Sequence, residues 1–374
     1  GSSVAVLDET LFVFLAGESD ARLPAFLSCS MPFTEINPYV SGGRVPPEMF
    51  FGRQELAARL EDPDGACVVY GGRQLGKSAL LYHVMTEFNE SSDSARQRHA
   101  WVIDLKSFED VIEEGAVGAE LWIRIRETFN DAGLFKPKRS TKNPVQIQGH
   151  IKDVMDGNPN MRILMMFDES DYFLLADSKS NFQAVNALRD LMTSTQNRFK
   201  VIFAGLHNVQ RYQSLPNQPL AHFGNPVNVG PLEATAAEML IRQPLGTLGY
   251  SISTEQVLQI FSYTNYHPRL IQEFCAKLVD LLNQEQRRPR GMPPRQIESS
   301  AIDRLYRDPN IRNDIQSMFN LTINLDQRYR AIASSMIAEQ LSDKDSYAIP
   351  FSPSAIKEIG IRYWEKGFAT VGDD

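Results

Sequence analysis

Two short stretches of the chain carry residue types at spacings that do chemistry. The first is Gly71-Gly72-Arg73-Gln74-Leu75-Gly76-Lys77-Ser78, the pattern GxxxxGKS. In such a turn, backbone N–H groups converge on phosphate oxygens, the lysine ammonium meets the β- and γ-phosphates, and the serine hydroxyl is a magnesium ligand. The second is Asp168-Glu169-Ser170-Asp171. The aspartate is suited to complete a magnesium shell, usually through water. The glutamate beside it is placed to orient or deprotonate an attacking water, and is the candidate general base. Gly71 through Ser78, the helix-opening Ala79 and Asp168 are thus candidate nucleoside-triphosphate-binding residues, with Ser78 and Asp168 as the metal ligands.

Such groups work only if the flanking elements hold them. Before the loop, Cys67-Val68-Val69-Tyr70 reads as a buried strand; after it, Leu80, Leu81, Val84, Met85 and Phe88 recur at helical spacing. Strand, loop and helix in that order are the context a phosphate loop requires. The acidic stretch ends Ile163–Phe167, a continuous apolar run expected of a central strand in a parallel sheet covered on both faces. Its carboxylates then lie at the C-terminal end of a strand, where open α/β sheets bind ligands. Trp101–Leu105, Phe199–Gly205 and a short Pro226–Val229 supply further strands, and helical patterns run through 116–132 and through Val185, Leu188 and Leu191. The alternation predicts a doubly wound α/β domain.

Other polar residues are open to two readings. Asn208 or His207, after the fourth strand, sits where a polar group positions water or touches the γ-phosphate; a turn-forming Asn is the alternative. Asp171 is either a helix cap or a catalytic group. Phe50 and Phe51 either line the nucleotide base or staple the Pro/Gly lead-in 37–56 to the domain. Arg269 follows Pro268, a good first-turn residue, and either reaches the phosphates from a lid helix or is a surface arginine.

From Pro231 the pattern is wholly helical, with a capping box at Ser253 and Gln256 and an apolar face through Ile271, Phe274, Leu278 and Leu282. The chain therefore divides into an N-terminal extension or edge of a preceding domain (1–36), an α/β domain (37–230), a helical lid (231–286), a basic Pro-rich linker and helix (287–319) and a further helical region (320–374). Leu11, Phe12, Phe14 and Leu15 have the spacing of a helix facing a core. The opening Gly1-Ser2-Ser3, without methionine, reads as an expression scar or an excerpt of a longer protein.

The net charge of −8 and pI near 5.4 argue against a surface devoted to nucleic acid, although basic segments occur at 136–142 and 287–295. Cys29, Cys67 and Cys275 show no metal or disulfide spacing and read as reduced, buried thiols of a cytoplasmic protein. No apolar run is long enough to span a membrane. DESD in place of DxxG, with no NKxD stretch, excludes a GTPase reading, and no LSGGQ-like transporter signature occurs.

GGRQLGKS, the apolar strand ending in DESD, the strand inserted between them, the polar tip at Asn208 and the helical lid resemble the AAA+ class of P-loop ATPases. Within it, NPYVSGGRVPPEMFFGRQEL and TNYHPRLIQEFC are similar to STAND ATPases of bacterial conflict and antiphage defence, relatives of origin-recognition and helicase-loader ATPases. The resemblance implies Walker A at Lys77 and Ser78, Walker B at Asp168 and Glu169, sensor 1 at Asn208 or His207, and a lid motif at Pro268 and Arg269. Tyr266 stands where that motif usually has glycine. It further implies an incomplete winged helix after residue 320, with Arg211 a candidate finger for a neighbouring subunit.

Three functions follow as expectations. One is an ATP-hydrolysing switch that controls assembly as a homo-oligomer or acts on an effector protein. The others are a DNA-acting ATPase of the helicase-loader kind, and a nucleotide-dependent scaffold with little turnover.

Overall fold

The computed structural model describes residues 8–17, 22, 26, 37–39, 45–92, 97–108, 116–135, 140–206, 209, 220, 223–285, 294–324, 330 and 333–334. His207, Asn208, Arg211, Cys29 and most of the region expected to form a winged helix (320–374) lie outside them. The chain forms two compact units, residues 1–299 and 300–374.

The first unit is built on a parallel sheet of β1 (Val68–Tyr70), β2 (Arg98–Asp104), β3 (Arg162–Asp168), β4 (Phe199–Gly205) and β5 (Val227–Asn228) in the order β2-β3-β4-β1-β5. The apolar runs arise because both faces are covered. Ile163, Met165, Phe167, Val201 and Phe203 pack on one side with Trp122, Ile125 and Phe129 of α4 (Val117–Asp131), Ile147 and Ile151 of α5 (Pro144–Gly157), Phe173 of α6 (Asp171–Lys179) and Leu188 of α7 (Gln183–Ser194). Leu164, Met166, Ile202 and Ala204 pack on the other with Leu60 of α2 (Gln54–Glu61) and Leu80, Val84 and Phe88 of α3 (Lys77–Glu90). Alternate residues of each strand thus feed two cores, as the two-residue period of a strand requires.

Register places the chemistry at one edge. Tyr70 pairs with Gly205, Phe167 with Phe203 and Asp104 with Asp168. The strand ends of β1, β2, β3 and β4 therefore open onto the same crevice.

Opposite that edge, α2 is pinned by two cations. Lys200, only 2% exposed, donates from Nζ to the Leu60 carbonyl (2.9 Å) and the Asp62 carbonyl, and Arg162 Nη2 donates to the Glu61 carbonyl. Burial lowers the Lys200 pKa, and its charge is met by carbonyls at the helix end, of which the Asp62 carbonyl also accepts from the Gly65 N–H. Lys200→Met keeps the aliphatic stem but takes this donor from both carbonyls, leaving Asp62's with its bond from the Gly65 N–H alone. Its expected cost is about 2–4 kcal/mol in denaturant unfolding. An unchanged midpoint would mean that the cost of burying the ammonium cancels its bonds.

The segment expected to form a lid contains α8 (Ala234–Thr247), α9 (Thr254–Thr264) and α10 (Pro268–Glu285), with β6 (Tyr250–Ser251) pairing in parallel with β7 (Arg295–Gln296). The Ser253–Gln256 capping box is formed in both directions. The lead-in chain lies on this lid: Asn37 Nδ2 donates to the Ala276 carbonyl and Asp280 Oδ1, both at 3.0 Å, and the Tyr39 hydroxyl to the Ile241 carbonyl at 2.9 Å. The second unit starts within α11 (Ser299–Arg307), which is followed by α12 (Pro309–Ile323). The apolar cluster near the N-terminus does form a helix, α1 (Glu9–Gly17), but none of its residues is buried, and Phe12 is 67% exposed. Its periodicity specified a helix without specifying a partner. No helix among the described residues is long and apolar enough to cross a membrane.

Candidate nucleotide site

The loop between β1 and α3 is shaped by close approaches. A Cβ on Gly71 would lie 2.2 Å from the Val229 carbonyl oxygen, and Gly76 caps α3 with φ of 93°, a region open to glycine. Gln74 also adopts positive φ, 58°, and the side chains of Arg73 and Gln74 are exposed. The backbone, not these side chains, forms the interior of the turn.

Lys77 is the first residue of α3 and is buried. Its ammonium folds back to donate to the Gly71 and Gly72 carbonyls, 3.0 Å each. Burial lowers its pKa, against the pull of Glu169, Asp168 and Asp171. The Ser78 hydroxyl donates to Asp168 Oδ2 at 2.5 Å, so residues 90 positions apart meet at the strand edge. Asp168 Oδ1 accepts from the Glu169 N–H at 3.0 Å.

Asp168 and Glu169 are both held above the usual carboxylate range, chiefly by burial. For Asp168 the Ser78 bond opposes the shift; for Glu169 the Asp168 charge adds to it and Lys77 opposes it. Glu169 has φ of 51°, a left-handed conformation that costs a non-glycine residue about 1 kcal/mol and persists where its surroundings enforce it. Here the Ser170 N–H donates to the Ala204 carbonyl (2.9 Å) and the Ser170 hydroxyl to the Phe167 carbonyl (2.7 Å), fixing the turn on both sides.

Asp171 opens α6, and its Oδ2 accepts from the Leu206 N–H at 2.5 Å. It thereby anchors the end of β4, just before residues 207–208. A Cβ on Gly205 would stand 2.4 Å from that same oxygen, so a larger residue there would have to displace the Asp171 carboxylate. Phe50 stacks on His83 of α3 with centroids 3.9 Å apart, and packs against the α2–α3 core: it is a staple. Pro268 begins α10, and Arg269 pairs with Glu273 on the same helix at 3.5 Å, its Nε buried without a hydrogen-bond partner.

Three residues that sequence reasoning did not single out border the site. Asp104 lies beside Asp168 in register and raises its pKa. Arg53 donates from Nη1 to the Leu75 carbonyl (2.5 Å) and from Nη2 to the Gly230 carbonyl (2.7 Å). His267 has its pKa lowered by burial, with the Arg73 backbone pulling the other way and the Arg53 and Arg269 charges reinforcing the lowering. Asp104 was legible as a carboxylate ending an apolar strand. Arg53 and His267 meet backbone groups, which leave no side-chain pattern to read.

The donors fit the groups that the loop implies. Ser78 and Asp168 offer hard oxygen atoms to a magnesium ion, which takes few protein ligands and completes its shell with phosphate and water. Among the described residues no cluster of three or more His, Cys, Asp or Glu side chains forms a self-sufficient metal site. The glycine cradle and the buried ammonium suit a polyphosphate.

No family profile matches the sequence, and no curated protein matches it. Solved structures do match in fold. The Walker-type ATPase of Pyrococcus abyssi is 16% identical across 89% of this chain and 93% of that one, with a TM-score of 0.51. ORC1 of Aeropyrum pernix, solved in complex with DNA, is 13% identical across 87% and 79%, at 0.43. RuvB of Thermotoga maritima is 14% identical across 85% and 88%, also at 0.43. Sheet order, phosphate loop and the Pyrococcus likeness together define the architecture: this chain has the AAA+ P-loop NTPase fold.

Proposed function

We propose that the chain binds ATP with Mg2+ in the crevice between the 71–78 loop and Asp168–Glu169, and hydrolyses it to ADP and phosphate. The observation that carries this reading is the meeting of Ser78 and Asp168 beside the Lys77 ammonium, at the C-terminal edge of a parallel sheet. Ser78 and Asp168 would hold the metal, which when bound neutralises charge on the β- and γ-phosphates. Lys77 exchanges its two loop carbonyls for phosphate oxygens. Glu169 accepts a proton from the attacking water, or orients it, from a position fixed by the Ser170 bonds. Asn208, which follows β4 in sequence, and Arg269 are the candidates to touch the γ-phosphate, with Pro268 setting the start of Arg269's helix.

We read the protein as a nucleotide-dependent switch of the STAND type, in which the lid reports nucleotide state to a neighbouring subunit or an effector, in a cytoplasmic setting such as antiphage defence. The lead-in chain supports this because it touches lid and loop together. Calorimetric titration with ATP and ADP, with Mg2+ and with EDTA, together with a phosphate-release assay, tests the reading. Saturable Mg2+-dependent ATP binding and phosphate release are expected; absence of ATP binding would falsify it.

A further inference from the structure

We infer that Arg53 is a positioning residue whose guanidinium ties the phosphate loop to the hinge of the helical lid, so that a change in the loop backbone is transmitted to the lid. The inference rests on the nucleotide reading above and adds the route by which occupancy of the site is reported.

The geometry is specific to this side chain. Arg53 is the residue before α2, and its Nη1 and Nη2 reach carbonyls from two distant parts of the chain: Leu75 within the loop, and Gly230 between β5 and α8. A planar fork holds two acceptors in fixed relation, whereas a lysine ammonium acts as a point donor on a flexible stem. The position is costly for an arginine. Its φ is 70°, in the left-handed region, and burial lowers its pKa to about 10. A bare helix start needs neither feature.

Arg53 sits between the loop, the junction that leads into α8, and helix α2. Its helix α2 is fixed at the far end by Lys200 and Arg162. Gly52, with φ of 71°, lies against the lid: a Cβ there would come within 2.6 Å of the Ala236 Cβ in α8. Nothing crowds the Gly230 Cα, since a Cβ there would meet open space; its carbonyl is held by Arg53. On the loop side, a Cβ on Gly76 would lie 2.8 Å from Arg53 Nη1, so the guanidinium packs directly on the turn that Lys77 follows. When Lys77 leaves the Gly71 and Gly72 carbonyls for a ligand, the turn loses two internal bonds. Its Leu75 carbonyl is the one that Arg53 shares with the hinge.

Hydrogen exchange across residues 231–247, with and without Mg2+-ATP, tests this in the full chain. Wild type, Arg53→Lys and Arg53→Met are compared, with nucleotide binding measured separately on each. In wild type, ATP is expected to change exchange in α8 at least about fivefold, the lower end of ordinary coupling. Both variants are expected to bind ATP within about tenfold of wild type while their α8 response falls below about twofold. If Arg53→Met does not fold, Arg53→Lys decides, because it keeps a buried cation and loses only the fork. A purely structural arginine would lower thermal stability and leave the ATP-dependent difference intact; that result, or no α8 response in ATP-bound wild type, overturns the inference. Failure of wild type to bind ATP overturns instead the nucleotide reading on which it rests.

Discussion

Lys77→Ala is expected to raise the Kd for Mg2+-ATP about 100-fold or more, the loss of two charge-assisted bonds to phosphate. The starting state makes this demanding. In the free protein the ammonium is not waiting in solvent: it is buried and bonded to Gly71 and Gly72, and burial lowers its pKa. Its transfer to phosphate therefore exchanges bonds to neutral carbonyls for bonds to anions within the same confined site. Alanine removes both sets and leaves two loop carbonyls without that donor, so the loop of the variant is expected to be looser as well as less attractive to phosphate. Thermal unfolding with and without ligand separates these effects. At about 100 times Kd a ligand stabilises the native state by about 2.7 kcal/mol, so ATP should raise the wild-type Tm and leave the alanine variant's unmoved. A variant whose Kd stays within about threefold of wild type would remove Lys77 from the phosphate site.

How much of this was legible in the sequence depended on whether a residue's partner could be inferred from its own type. The sheet was: Ile163–Phe167 and Phe199–Gly205 are apolar throughout because they are buried on both faces, and the structure places them side by side. The meeting of Ser78 with Asp168 was expected from a hydroxyl and a carboxylate each ending up at the same sheet edge. Helix α5 was missed; only the basic segment 136–142 just before it was noted. Yet Asn143 caps it by accepting from the Val145 N–H, Pro144 follows, and Ile147, Ile151 and Met155 recur every four residues. The lysines of the preceding segment obscured a start signal that was present. Helix α1 shows the converse, since apolar periodicity states what a helix can bury and not whether anything covers it. Arg53 lay beyond sequence reasoning for a third reason. Its partners are carbonyls, which every residue has, so no pairing of side-chain types marked it.

Glu169→Gln is expected to keep ATP binding and to lower turnover about 100- to 10,000-fold, the range that a positioned general base contributes. Glutamine preserves volume and one acceptor oxygen, so the carbonyl that orients water survives while the proton acceptor is lost. The native carboxyl is raised above its ordinary value of 4.5, first by burial and then by the Asp168 charge. The sign of the pH dependence follows. Turnover per encounter, kcat/KM, should fall as pH drops through that raised pKa, at a higher pH than an ordinary glutamate would give, and the glutamine variant should lack this limb. Stability should move the opposite way. A carboxyl with a raised folded-state pKa is no burden below 4.5, where both states are protonated, and disfavours the fold as pH rises through the folded value. Ligand-free Glu169→Gln should therefore match wild type in acid and exceed its Tm at neutral pH. Glu169→Gly separates charge from backbone, because it removes the carboxyl and also relieves the φ of 51°. If glycine is more stable than glutamine, the left-handed turn itself stores strain, on the order of 1 kcal/mol. The site would then hold its base in place at the expense of fold stability on two separate counts. A glutamine variant that turns over ATP like wild type would leave the water to be activated without Glu169, and the raised carboxyl would have no part in the chemistry.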